Sequence, residues 1–151
     1  MDTIDILRHS ELCHGLNDAE LEHLSDIFHA KHVKRNTIIL KEGEPSNDLY
    51  VIGKGRVKVA MLSSSAPGGY EKIATLRDHD VYGEFALLDG STRSASVIAE
   101  EDSDFLIADY VDFHRFLQDN EHIGFIVMRN LAKILTAKIR RTNFEMRNGA
   151  R

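Results

Sequence analysis

A mainly β fold, an antiparallel sandwich or jelly-roll barrel framed by helices, is predicted by three features of the sequence. Between Lys31 and Ala108 the apolar residues fall in short runs rich in β-branched and aromatic side chains, the composition of pleated, partly buried strands. Turn chemistry separates these runs at regular intervals, in Glu42-Gly43-Glu44-Pro45, Gly53-Lys54-Gly55, Ser63 to Gly69 and Asp78-His79-Asp80, and so many short strands suit an antiparallel architecture better than a parallel sheet. On both sides of this region the apolar spacing changes to that of a helix, with steps of three and four residues.

Composition bounds the function. At 151 residues the chain has the size of one domain and can bury about two-thirds of its unfolded surface. With 42% hydrophobic and 28% charged residues it is ordinary globular material, and no apolar run approaches the length of a membrane span. The opening M-D-T-I-D-I-L-R is acidic and broken by polar residues, so no secretory leader is expected and a cytoplasmic chain is. A net charge of −5 argues against a nucleic-acid surface. The basic residues Lys133, Lys138, Arg140, Arg141 and Arg147 complement the C-terminal dipole of a helix. The lone Cys13 excludes an internal disulfide framework and reads as a small core residue.

The elements follow in order. Residues 1–30 read as helical: Asn17 caps, Glu20 completes a capping box, and Leu16 with Leu21 forms the staple. Leu21, Leu24, Ile27 and Phe28 then share one helical face, and His29 and His32 straddle the helix end as exposed polar residues rather than metal ligands. Strands are expected over Thr37–Leu40, Asp48–Ile52, Arg56–Leu62, Tyr70–Leu76, Ser94–Ala99 and Asp104–Ala108. Val57, Val59 and Met61 alternate with Arg56, Lys58 and Ala60, the pattern of a sheet wet on one face. Asp109 caps a helix carrying Val111, Phe113, Phe116 and Leu117, interrupted at Asp119-Asn120. A last helix runs from Glu121 to about Arg147, roughly 40 Å at 1.5 Å per residue. Ile123, Val127, Leu131, Ile134, Leu135 and Ile139 form its apolar stripe, Gly124 weakens its first turns, and Asn148-Gly149 ends it.

The chemistry concentrates in V-Y-G-E-F-A-L-L-D-G-S-T-R-S-A-S-V-I-A, residues 81–99. Gly83 lets the backbone adopt positive φ and approach a neighbour closely. The amides of Phe85 and Ala86 open a helical turn, where unpaired N–H groups favour an anion. Arg93 adds a fixed charge with fork geometry suited to phosphate. Glu84 would be repelled by that anion, unless the ligand carries a hydroxyl beside its phosphate for the carboxylate to accept from. A ribose 2′-OH next to a 3′,5′-cyclic phosphate meets the requirement. The alternative, a surface salt bridge between Glu84 and Arg93 worth about 0–1 kcal/mol, leaves the length of the pattern unexplained.

Gly83-Glu84-Phe85-Ala86-Leu87 and Arg93-Ser94-Ala95-Ser96 resemble, in order and spacing, the phosphate-binding cassette of the cyclic-nucleotide-binding domains found in bacterial activators, kinase regulatory subunits and nucleotide-gated channels. Glu42-Gly43-Glu44, Leu49-Tyr50-Val51-Ile52 and Gly55-Arg56-Val57 are similar to the early barrel strands of that family, so the resemblance covers nearly the whole chain. It implies one domain over 1–151: N-terminal helices to residue 30, an antiparallel jelly-roll barrel of the cupin-like double-stranded β-helix type over 31–108, and C-terminal helices over 109–148. It implies that Glu84 takes the ribose hydroxyl, that Arg93 takes the cyclic phosphate with Ser94 and the amides near Phe85 and Ala86, and that the base lies near Lys138 and Ile139. Ser94 after the arginine points to cAMP ahead of cGMP. The last helix is expected to close over the base and to pair with a second copy, with Leu131, Ile134 and Leu135 near the axis.

Only Phe144 to Arg151 follow the helical stripe, so no DNA-binding domain is expected, and the chain reads as a stand-alone receptor or the regulatory fragment of a longer protein. The expected function is a sensor, not an enzyme, that needs no cofactor or metal and signals to a protein effector. Two rivals come from other classes. One is an interaction module that kept the barrel and lost the ligand, against which the intact Glu84 and Arg93 argue. The other is a metal-dependent cupin enzyme, for which His79 is the one histidine between the first and last expected strands, Thr37 to Ala108, and no ligand set assembles.

Overall fold

Among the described residues of the computed structural model, 2–63, 65 and 69–149, eight strands form two four-stranded antiparallel sheets stacked as a jelly roll. One sheet has the order β1 (Phe28–Val33), β8 (Ser103–Ala108), β3 (Leu49–Lys54), β6 (Val81–Tyr82). The other runs β2 (Ile38–Leu40), β7 (Ser96–Ala99), β4 (Val57–Leu62), β5 (Tyr70–Leu76). Helices α1 (Thr3–His9) and α2 (Asp18–Ser25) precede the sheets, with a 3-10 turn at Glu11–Cys13 between them. Helix α3 (Glu84–Asp89) interrupts the strands, and α4 (Tyr110–Asp119) and α5 (Glu121–Gly149) follow them.

The expected mainly β fold with flanking helices is therefore the one found, with differences that have physical causes. The second helix stops at Ser25, and Phe28–Val33, expected as its end and the linker beyond, pairs along six residues with β8. Only Phe28 and Val33 of this strand are buried, so backbone pairing and not side-chain pattern places it. His29 and His32 consequently lie on a strand, where His32 Nδ1 sits 2.7 Å from Asp104 Oδ1. Opposite Val59 and Ala60 of β4 the register with β5 slips by one, which leaves Ile73 as the extra residue of a bulge in β5. Val57 and Val59 pack between the sheets as expected, but Ala60, expected on the wet face, is fully buried, and Met61, expected on the buried face, is 43% exposed. The turn expected from Ser63 to Gly69 falls partly on 64 and 66–68, outside the described residues.

Two apolar clusters hold the fold, and β3 belongs to both. Leu49 and Val51 face the helices with Leu7, Leu12, Leu24, Leu106, Phe113 and Val127, while Tyr50 and Ile52 point between the sheets at Val57, Phe105 and Ile107. Coverage on both faces explains why its first five residues are all buried. The capping box of α2 is complete, with Asn17 Oδ1 accepting from Glu20 N and Glu20 Oε1 accepting from Asn17 N. Asp109 caps α4 through Val111 N and Asp112 N; of the apolar residues expected on this helix, Phe113 and Phe116 are buried and Val111 is 52% exposed.

Helix α5 is fixed on this body by its first half. Val127 and Leu131 are buried in the helix-side cluster, each contributing about 1.5–3 kcal/mol. Asn130, 2% exposed, donates from Nδ2 to the carbonyls of Leu12 and His14, both at 2.9 Å. Gly124 is there for contact: a Cβ would sit 2.7 Å from the carbonyl oxygen of Leu117, so only glycine lets α5 cross α4 this closely. The helix is described to Gly149, the position expected to end it.

Candidate functional site

The 81–99 stretch folds into a strand, a glycine turn, a short helix and a loop that brings Arg93 back beneath the turn. Gly83 has φ +88, and an added Cβ would meet the Asp48 carbonyl oxygen at 2.8 Å and Arg93 Nη1 at 2.9 Å. The glycine is needed to admit the guanidinium. Ser94 and Ala95, expected to begin β7, lie before it instead, and Arg93 exchanges backbone hydrogen bonds with the Gly43–Glu44 turn: Arg93 N donates to Glu44 O at 2.9 Å and Gly43 N to Arg93 O at 2.8 Å. That clamp turns the side chain inward.

Arg93 is 5% exposed and held from three sides. Nε donates to Ser46 Oγ at 2.9 Å, Nη1 to the Gly83 carbonyl at 3.2 Å, and Nη2 to the Asp48 carbonyl at 2.9 Å. The Tyr50 ring lies beneath, 5.8 Å from the guanidinium carbon, and stacks in turn on Tyr82 at 4.9 Å. Burial lowers the pKa of Arg93 and raises those of both tyrosines, Tyr82 well above the ordinary value. No carboxylate of the described residues is ion-paired with this cation. A guanidinium has five N–H groups, and three are committed, so one remains on each terminal nitrogen. That pair is the geometry of a bidentate phosphate contact.

Glu84, 3% exposed at the start of α3, is a buried carboxylate whose Oε1 accepts from Lys138 Nζ of α5. Together with Arg93 it lines a cavity of about 500 Å³ between the β2-β7-β4-β5 sheet, α3 and the second half of α5. Leu40, Val59, Leu76 and Val97 give this cavity an apolar wall. Arg93, Lys138 and Arg141 line it together with Glu84 and Glu145. His114 of α4 ties the same helix from behind, its Nε2 lying 3.0 Å from the Leu87 carbonyl. A larger depression of about 660 Å³ between α2, β1 and α4 is open to solvent and is lined by no buried polar side chain.

Of the expected site residues, Gly83, Glu84, Phe85, Ala86, Arg93, Ser94 and Lys138 all line this cavity, with Phe85 and Ser94 exposed at its surface. The structure does not bring Ile139 there. It is 60% exposed, because the cavity-facing side of α5 is set by Lys138, Arg141, Thr142 and Glu145, at helical steps of three and four, and Ile139 lies about 100° around the helix from Lys138. The supports of Arg93, namely Ser46, the Asp48 carbonyl and Tyr50, carried no motif that marked them. Arg141, Thr142 and Glu145 were within reach of helical spacing from Lys138. Among the described residues no group of three potential metal ligands occurs and no helix is long and apolar enough to cross a membrane.

Known proteins resemble this chain in sequence and in fold. The chain is 30% identical over 144 residues to the cyclic AMP receptor protein of Thermus thermophilus, covering 93% of this chain and 62% of the relative. It is 29% identical over 118 residues to human Rap guanine nucleotide exchange factor 3, covering 78% of this chain and 12% of that protein. The chain thus spans less than two-thirds of the length of these curated relatives. The crystal structure of the Thermus thermophilus catabolite activator protein superposes with a TM-score of 0.81 at 26% identity, over 93% of this chain and 63% of that one. A cyclic nucleotide-binding domain from Methylobacillus flagellatus shares the fold, with a TM-score of 0.86 at 24% identity over 97% of this chain and 82% of that one. Residues 30–120, more than half of the sequence, match the family profile, and the chain belongs to the cyclic nucleotide-binding domain family.

Proposed function

We propose that the chain is a receptor module for a 3′,5′-cyclic purine nucleotide, cAMP ahead of cGMP, which it binds and releases unchanged. The observation that carries the reading is Arg93, a buried cation that forms no salt bridge among the described residues and lines one cavity with the carboxylate of Glu84. The cyclic phosphate lies on Arg93, with Ser94 and the amides of Phe85 and Ala86 beside it. Glu84 accepts from the ribose 2′-OH, and the base rests between the apolar wall and the Lys138 face of α5. The preference for cAMP rests on Ser94 and on the name of the Thermus relative. No cofactor is required. The reading places the module in the cytoplasm, with an effector protein receiving the signal from the C-terminal helices.

The test is a titration with cAMP, cGMP and 2′-deoxy-cAMP of the native protein and of Glu84→Gln. We expect cAMP to bind more tightly than cGMP. We expect 2′-deoxy-cAMP to bind the native protein more weakly by about 1–2 kcal/mol, and this gap to shrink in Glu84→Gln, which isolates one contact. Equal affinity of the native protein for ribo and deoxy forms would remove Glu84 from the ribose, and tighter cGMP would reverse the base preference.

The module further acts as a two-fold dimer through α5, on a different seam from the one expected. Leu131 and Ile134, expected near the axis, are 1% and 8% exposed in the core of their own domain. The free face carries Phe125, Met128, Ala132, Leu135, Ile139 and Met146 at heptad spacing, and Phe125, Ile139 and Met146 are 64%, 60% and 66% exposed. Ile139→Asp places a charge in that seam and should dissociate the dimer, whereas Ile134→Asp should unfold the domain. Sedimentation showing a native monomer at high micromolar concentration, with and without nucleotide, would refute the dimer.

A further inference from the structure

Strand alternation divides β6 between the two apolar clusters. Val81 packs on the helix side, and Tyr82 points between the sheets. There it stands with Leu40, Leu76 and Val97, which also wall the cavity, and Tyr82 itself lines that cavity beside Gly83, Glu84 and Arg93. Its ring is fixed by Tyr50, stacked at 4.9 Å with 12° between the planes. The residue is 3% exposed, and among the described residues its hydroxyl is the one buried side-chain polar atom without a hydrogen-bond partner. Buried polar groups are nearly always bonded, and a phenylalanine would fill the same place without the cost of burying one that is not. Burial also holds the phenol's pKa well above its ordinary value, so the group stays an O–H donor at physiological pH. What completes it is an acceptor.

We propose that Tyr82 is a ligand-binding residue whose hydroxyl donates to an oxygen of the cyclic phosphate, beside Arg93. The proposal rests on the cyclic-nucleotide reading and adds a neutral donor to it. Tyr82 and the guanidinium share one neighbour, lying 4.9 and 5.8 Å from the ring centre of Tyr50. They also meet at the turn, since Arg93 Nη1 lies 2.9 Å from where a Cβ on Gly83, the residue after Tyr82, would stand. The buried cation draws the anionic end of a ligand to this side of the cavity. An ionised phosphate oxygen is there the strongest acceptor a phenol can find, because a hydrogen bond to a charged acceptor is about twice as strong as a neutral one. The stacked ring holds the donor in place before the ligand arrives, so little order is lost on binding.

The test compares native protein with Tyr82→Phe, by melting without ligand and by titration with cAMP and with both diastereomeric phosphorothioates of cAMP. In these analogues sulfur, a weaker acceptor than oxygen, replaces one or the other exocyclic phosphate oxygen. Without ligand, Tyr82→Phe should melt at the native temperature or above it, because the ring stays and only the unbonded hydroxyl goes. It should bind cAMP about 10-fold or more weakly. The diastereomer that sets sulfur against Tyr82 should lose affinity relative to cAMP in native protein and lose much less in Tyr82→Phe, while the other diastereomer loses equally in both. A Tyr82→Phe protein that melts below native has lost a bond made within the protein, and one that binds cAMP as tightly as native never used the hydroxyl on the ligand; either result overturns the proposal. Equal losses in both proteins for both diastereomers take the contact off the phosphate and overturn it too. Arg93→Ala, titrated alongside, separates the two levels. If Arg93→Ala loses affinity and Tyr82→Phe keeps it, the tyrosine contact alone fails. If native protein binds no cyclic nucleotide, or both variants keep native affinity, the cyclic-nucleotide reading of this site fails and the tyrosine contact with it.

Discussion

Arg93→Ala is expected to weaken cyclic-nucleotide binding by about 2–5 kcal/mol, roughly 30-fold to several thousand-fold, the cost of removing one partner from a desolvated charge pair. The size follows from burial. Arg93 is 5% exposed, so the ligand's phosphate would meet the cation with little screening water. Arg93→Lys should recover little, because an ammonium on a flexible stem cannot place two parallel donors while also bonding Ser46, Gly83 and Asp48. The same three bonds make the variant less stable, since the carbonyls of Gly83 and Asp48 lose their donor. Melting curves and titrations must therefore be taken on the same samples. Native affinity in a folded Arg93→Ala protein would remove the phosphate from this site.

The cassette was legible in the sequence because its chemistry is local. Gly83, Glu84 and Arg93 lie within eleven positions, and the conflict of a carboxylate beside an anion site is visible in their identities alone. What holds Arg93 was not legible. Two of its three acceptors are backbone carbonyls, of Gly83 and Asp48, which any residue supplies, and the third is Ser46, 47 positions away. Strand β1 was hidden for a related reason. Four of its six residues are exposed and none of the four is β-branched, so only the six-residue register with β8 reveals it. Helix α5 was legible as an amphipathic helix but not as one with three sides. The stripe ending at Ile134 faces the core, the Lys138 side faces the cavity, and the Phe125–Ile139 seam faces outward. A single apolar pattern merged the first and third, which is why Leu131 and Ile134 were placed with Leu135 at the dimer axis, whereas Ile139 was placed at the base by the resemblance alone.

Gly83→Ala should disable the site without touching a charged group. The residue sits at φ +88, where an L side chain costs about 1–2 kcal/mol, and an alanine Cβ would lie 2.8 Å from the Asp48 carbonyl oxygen and 2.9 Å from Arg93 Nη1. The carbonyl belongs to the residue that leads into β3 and cannot retreat without disturbing that strand. The guanidinium is therefore the group that moves, or α3 shifts bodily, and either change separates Arg93 from the cavity-facing end of α3. The expected result is a melting temperature lower by about 2–8 °C, together with a loss of nucleotide affinity approaching that of Arg93→Ala. Gly90→Ala separates the two effects. Gly90 has φ +70 at the other end of α3, and an added Cβ there would meet nothing within 4 Å, so the substitution carries the same backbone cost and no collision. It should lose comparable stability and keep its affinity. If Gly83→Ala also keeps its affinity, the close approach of Arg93 to the turn is not what shapes the phosphate site, and the orientation of Arg93 must come from Ser46 and Asp48 alone.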